Sequence, residues 1–133
     1  MRLVVDAGVI VEACVAGGVL GPLGRHALVA PALLPAEVGA AIRQLVWRGE
    51  LPLQEGRNAV AALPGLPIDY ASPTAVTVEA WALAEGLGWA KTYDAEYVAL
   101  ARSLQVPLVT ADSRLVRGAS HLATILGPAD PRL

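Results

Sequence analysis

Residues 3–11 read LVVDAGVIV, and Asp6 is the one polar side chain in that run. An unbroken apolar stretch rich in valine marks a strand buried on both faces, as in a parallel sheet covered by helices. An ionised carboxylate placed there costs several kcal/mol unless it is paired, protonated or used to hold a metal ion. Arg2 is the only cation close by in the chain. Whatever satisfies Asp6 must therefore come from a distant segment.

The same alternation recurs along the sequence. RLVV ends at Asp6 and gives way to GVIVEACVAGG, whose Val9, Ile10, Ala13 and Cys14 suit one face of a short helix before a glycine pair. ALVAP reads as a second strand. PALLPAEVGAAIRQLVWRGEL places Leu34, Val38, Ala41, Ile42, Leu45 and Val46 at spacings of three and four, with Pro35 early and Gly49 as a stop, which predicts a long helix. LQEGRNAVAAL reads as a further helix, LPIDYAS as a strand, and SPTAVTVEAWALAEGLG as a helix opened by Ser72 and Pro73 and closed on glycine. In TYDAEYVALARSLQ, Tyr97, Val98, Ala101 and Leu104 form a helical stripe, with Thr92 or Asp94 as the cap. VPLVTAD is a buried strand running to Asp112, and SRLVRGA adds a short helix. Strands alternating with helices predict an α/β fold: a three-layer α/β/α sandwich around a central parallel sheet, in one domain over residues 1–133.

Composition narrows the function classes. A formal charge of −2 excludes a protein that holds nucleic acid by a broad basic surface, though not an enzyme that meets phosphate through bound metal. With 55% hydrophobic and 17% charged residues, a chain this short cannot hide all its apolar surface, so an oligomer or complex is expected. No apolar run approaches the roughly 18 residues of a membrane span, and the first residues lack the pattern of a cleaved leader. One cysteine, Cys14, allows no internal disulfide and fits the cytoplasm.

Four acids stand apart by position. Asp6 and Asp112 end apolar strands, at the same sheet edge if the strands are parallel, Asp94 stands at a helix start, and Glu37 lies in the first turns of an otherwise apolar helix. Each has an ordinary structural role available: Asp6, Asp112 and Asp94 as helix caps, Glu37 as a first-turn acid favoured by the helix dipole. Should the four meet, they could not all ionise without compensation, and an all-oxygen site without His or Cys selects a hard ion, Mg²⁺ or Mn²⁺. Such a site suits phosphodiester hydrolysis. Among the other acids, Glu12 and Glu96 flank these segments.

VVDAGVIVEA, LLPAEVGAAIRQL, TYDAEYVALA and LVTADSRL together resemble the four successive signature segments of the PIN domain, specifically the VapC-type ribonuclease toxins of toxin–antitoxin pairs. The resemblance covers nearly the whole chain in order and spacing. It implies a PIN-like α/β/α sandwich, Mg²⁺ or Mn²⁺ dependence, endonucleolytic cleavage of RNA, homodimerisation and a VapB-like antitoxin. Asp6, Glu37, Asp94 and Asp112 fall on the family's catalytic and metal-binding acids. Two positions depart: Gly8 stands where the family carries Ser or Thr, and Ala40 where an Asn often follows the helix Glu. Thr110 matches the family and is expected to steady Asp112.

His26 and His121 lie outside these segments and read as surface or capping residues, while Arg25, Lys91, Arg114 and Arg117 are candidates for phosphate contact. Trp47 and Trp81, at helical spacing, read as core or dimer contacts, and Trp89 as a residue for stacking or an interface. Two other enzymes that place an Asp after the first strand are disfavoured. A phosphoacceptor receiver needs a late-strand lysine, and a haloacid-dehalogenase-like phosphatase needs a second Asp where Gly8 stands. The alternative that survives is a catalytically weak PIN-like domain that binds RNA or protein without cutting.

Overall fold

The computed structural model describes residues 1–133. Five strands, β1 (Arg2–Val5), β2 (Ala27–Ala30), β3 (Ile68–Tyr70), β4 (Leu108–Val109) and β5 (Ile125–Leu126), form one sheet in the order β3-β2-β1-β4-β5. Every pairing is parallel. Six helices connect and cover them: α1 (Ala7–Val15), α2 (Leu34–Trp47), α3 (Leu53–Ala62), α4 (Thr77–Leu87), α5 (Tyr93–Leu104) and α6 (Ser113–Ala119). No helix is long and apolar enough to cross a membrane.

The apolar run that opens the chain behaves as its composition requires. Leu3, Val4 and Val5 are fully buried, so β1 is covered on both faces. α1, α2 and α3 pack on one another, and α4 packs on α5, which also lies against β1 and β4. These two groups of helices make the outer layers of the expected sandwich.

Strand order fixes where a ligand can enter. The chain builds β2 and β3 to one side of β1, then crosses to place β4 and β5 on the other. In open α/β sheets of this kind the crevice lies beyond the carboxyl ends of the strands at the point where the order reverses, here between β1 and β4. Asp6 follows β1 directly, and its backbone N–H donates to the carbonyl of Val109 at 3.2 Å, so the two strand ends are tied together at the crevice.

Several local expectations are corrected. VPLVTAD is a strand only over Leu108–Val109, and Asp112 is instead the N-cap of α6. α4 begins at Thr77 rather than at Ser72 and Pro73, because Ser72 heads a turn closed by the Ala75 N–H at 3.0 Å. Neither Thr92 nor Asp94 caps α5 through its side chain; Asp94 lies inside its first turn. β5 was not read from the sequence. Trp47 and Trp81 are not core residues, being 78% and 60% exposed. The buried stripe of α2 is Leu34, Val38 and Ile42, and a residue five positions beyond Ile42 lies about 140° around the helix from it.

Candidate active site

Asp6 is 9% exposed, and the structure supplies the partners its segment lacks. One carboxylate oxygen accepts the Val9 N–H at 3.0 Å, which makes Asp6 the N-cap of α1. The other accepts the hydroxyl of Thr110, which is itself buried beyond β4. The Thr110 oxygen in turn accepts the Asp112 N–H at 3.0 Å. Thr110 therefore steadies the carboxylate of Asp6 and the backbone of Asp112, not the Asp112 carboxylate that the sequence pointed to. That carboxylate takes the Arg114 N–H at 2.9 Å.

Glu37 is half-buried in the first turn of α2, where its Oε1 accepts the phenol of Tyr97 at 2.7 Å. Tyr97 is 1% exposed and lies three residues after Asp94 on α5, so the helix that presents one acid also positions another. The sequence placed Tyr97 in an apolar stripe and missed this role. The available signal was its hydroxyl, which a buried tyrosine must pair.

The acids sense one another. Burial pushes the Asp6 carboxyl above the ordinary carboxylate range, the bonds from Thr110 and Val9 pull it back, and the charges of Asp112 and Asp94 push it up again. Burial raises Glu37 first, the Tyr97 bond opposes that, and Asp94, Asp6 and Glu96 add to the rise. Asp94 is raised by loss of solvent and then by Asp112, and only Arg114 acts the other way. Three carboxyls at one sheet edge are thus held above their usual range, with a single arginine as counterweight. As the side chains stand, no group of three His, Cys, Asp or Glu is gathered tightly enough to enclose one ion. In donor type and in uncompensated negative charge the residues fit a hard divalent cation.

Gly8, on the first turn of α1, also borders this point. A Cβ there would stand 3.7 Å from Asp6 Oδ1, an ordinary contact, and the backbone is not left-handed. Glycine is not required at position 8, so a serine hydroxyl has room beside Asp6. His26 lies at the start of β2, at the sheet edge opposite the acids, and His121 follows α6; neither joins the site.

A parallel sheet with Asp6, Glu37, Asp94 and Asp112 near its switch point defines an α/β domain with an acidic crevice. No family model matches the chain. Ribonuclease VapC1 of Mycobacterium tuberculosis (strain ATCC 25618 / H37Rv) is 41% identical over 119 residues, covering 84% of this chain and 86% of the relative. Among solved structures, PAE2754 from Pyrobaculum aerophilum superposes with a TM-score of 0.68 at 22% identity, over 94% of this chain and 92% of that one. VapBC2 from Rickettsia felis, bound to a DNA fragment from their promoter, gives a TM-score of 0.63 at 14% identity, over 96% and 98%. The chain belongs to the VapC family of PIN-domain ribonucleases.

Proposed function

We propose that this chain is the endoribonuclease toxin of a VapBC toxin–antitoxin pair and that its cleavage of RNA depends on Mg²⁺ or Mn²⁺ held by Asp6, Glu37, Asp94 and Asp112. The observation that carries the metal dependence is the electrostatic deficit at the crevice. Asp6, Glu37 and Asp94 are each raised by burial and by one another or by Asp112; hydrogen bonds from Thr110, Val9 and Tyr97 offset part of this, and the one opposing charge is Arg114, on Asp94. A hard divalent ion, when bound, supplies Lewis acidity that lowers the pKa of a water and neutralises charge on the leaving oxygen.

The chain's own residues prepare that chemistry. Val9 and Thr110 each occupy one oxygen of Asp6 and fix the carboxylate plane, leaving its other lone pairs free to accept. Tyr97 holds Glu37 on one oxygen and leaves the second free. Asp112 is oriented as a helix cap, and Asp94 lines the open cavity beside Glu37. Anchoring of this kind keeps the donors pre-oriented and limits the reorganisation needed when charge develops on the phosphate.

The partner is a VapB-like antitoxin, an assignment supported by family membership and by the VapBC neighbour in fold. An acidic crevice bordered by apolar surface attracts an arginine carried on an apolar segment, which would pair with the carboxylates and compete with metal. A homodimer accounts for the exposed Val78 and Trp81 of α4, at 81% and 60%. The free buried Cys14 fits action in the reducing cytoplasm.

The test is RNA cleavage by the purified chain with EDTA, Mg²⁺ or Mn²⁺, alongside Asp6→Asn and Asp94→Asn. Cleavage restored by metal in the wild type and lost in both variants is expected. Full activity in EDTA, or in either variant, would overturn the assignment. The second reading, a domain that binds without cutting, draws on Gly8 and on the absence of a closed three-acid group; metal binding without cleavage would favour it.

A further inference from the structure

Beside the acids lies an open cavity of about 420 Å³ whose lining includes Glu37, Asp94, Trp89, Lys91, Tyr93 and Arg114. Its volume is within the usual range for a small-molecule or nucleotide site. Two carboxylates stand in its wall together with two cations, and the lysine is the only one in the sequence. Lys91 has no ion pair, and Arg114, with its side chain 84% exposed, reaches only Asp112 at 3.7 Å. Tyr93 is 54% exposed and its hydroxyl has no hydrogen-bond partner within the chain.

Trp89, also in the lining, is held at its backbone and packed at its ring. Gly88 ends α4 in the left-handed conformation, and the Trp89 N–H reaches back to the Ala84 carbonyl at 2.8 Å, which fixes the backbone that carries the indole. The ring then lies against α6 at Gly118, where a Cβ would come within 3.0 Å of Trp89 Cζ2. Gly118 is not left-handed, so packing of the indole, not backbone geometry, is what a side chain there would disturb. An aromatic pair, two cations free of strong partners and two acids thus meet in one cavity.

We propose that this cavity seats the nucleotide next to the scissile phosphate, with Tyr93 stacking on its base and Lys91 pairing with its phosphate. The assignment rests on the ribonuclease reading given above and deepens it to a substrate subsite. An unstacked base from a loop or single strand presents a face that an exposed tyrosine covers without regard to sequence. Lys91 offers one phosphate of the strand a positive charge in the cavity wall, while Arg114, close enough to Asp94 and Asp112 to oppose their charge, stands with Glu37 and Asp94 where the adjoining phosphate lies. Tyr93 and Lys91 are binding residues here; the acids remain the reacting site.

The experiment measures anisotropy of a fluorescein-labelled single-stranded RNA 20-mer of mixed sequence, in Mg²⁺ buffer. An Asp6→Asn background prevents cleavage, and salt is varied. Tyr93→Ala is expected to weaken binding about five- to hundredfold, with Tyr93→Phe restoring it because the ring is kept. Lys91→Ala is expected to weaken binding and to lower the salt slope by about 0.7, the value for one phosphate contact on a single strand. Unchanged affinity and slope in Tyr93→Ala and Lys91→Ala overturn the subsite while leaving the nuclease intact, provided the wild type still cleaves RNA. No RNA binding by the parent, together with no cleavage by the wild type, overturns both. Loss of antitoxin binding with RNA binding untouched would assign the cavity to the protein partner instead.

Discussion

Thr110→Val removes one hydroxyl and preserves shape, and it isolates the link between the two strand ends. Thr110 is 1% exposed, donates to Asp6 and accepts from the Asp112 N–H. A hydrogen bond to a charged group contributes about 1.5–3 kcal/mol, and a neutral one about 1 kcal/mol. The Asp112 amide belongs to a residue only partly buried, so water can replace that bond, and the expected loss is dominated by Asp6. At pH 7 the variant should unfold about 1.5–3 kcal/mol more easily in urea. The cost should shrink toward about 1 kcal/mol as pH falls through the folded pKa of Asp6, because the bond then ends on a neutral carboxyl. Loss of the bond also removes one of the two interactions that hold the Asp6 pKa down, so Mn²⁺ affinity at neutral pH should fall. Paired urea titrations of wild type and variant from about pH 4 to about pH 7 test this. A penalty below about 0.5 kcal/mol, or one that does not change with pH, would refute the link.

Asp6→Asn should gain stability relative to the metal-free wild type as pH rises. A carboxyl raised above 3.8 contributes stability that is whole below that value and lost as pH climbs through its folded pKa. A constant difference across that range in urea unfolding would contradict the shift. Gly8→Ser should tighten Mn²⁺ binding by calorimetry, since the added Cβ stands 3.7 Å from Asp6 Oδ1 without strain. Equal affinity would make the missing hydroxyl silent. Tyr97→Phe should lower cleavage rate and metal affinity by freeing Glu37 and raising its pKa further, while the fold persists because the ring stays in place. Unchanged turnover would show that Glu37 needs no anchor.

Local order was legible because each segment carries its own punctuation. The apolar run before Asp6, the three-and-four spacing of α2 and the glycines that end α2 and α4 state their elements within a few residues. Asp6 and Asp112 stood out as acids following apolar runs, whereas Glu37 and Asp94 looked like ordinary first-turn acids and joined them only through the order of the four family-like segments. Elements with little local signal were not legible. β5 is two residues long and exists as a strand only because β4 offers it a parallel edge.

Sequence alone determined the alternation of strands and helices, and with it a parallel sheet covered on both faces, since short β-branched apolar runs separated by amphipathic helices suit crossover connections. What only the tertiary structure decided is which groups meet. The Thr110 hydroxyl reaches Asp6 across 104 positions and the Tyr97 phenol reaches Glu37 across 60. The indole of Trp89 finds its place against Gly118. Side-chain pairing between distant segments depends on strand order and helix rotation. A hydroxyl's sequence neighbours carry no record of either, so Thr110 could be assigned a carboxylate but not the right one.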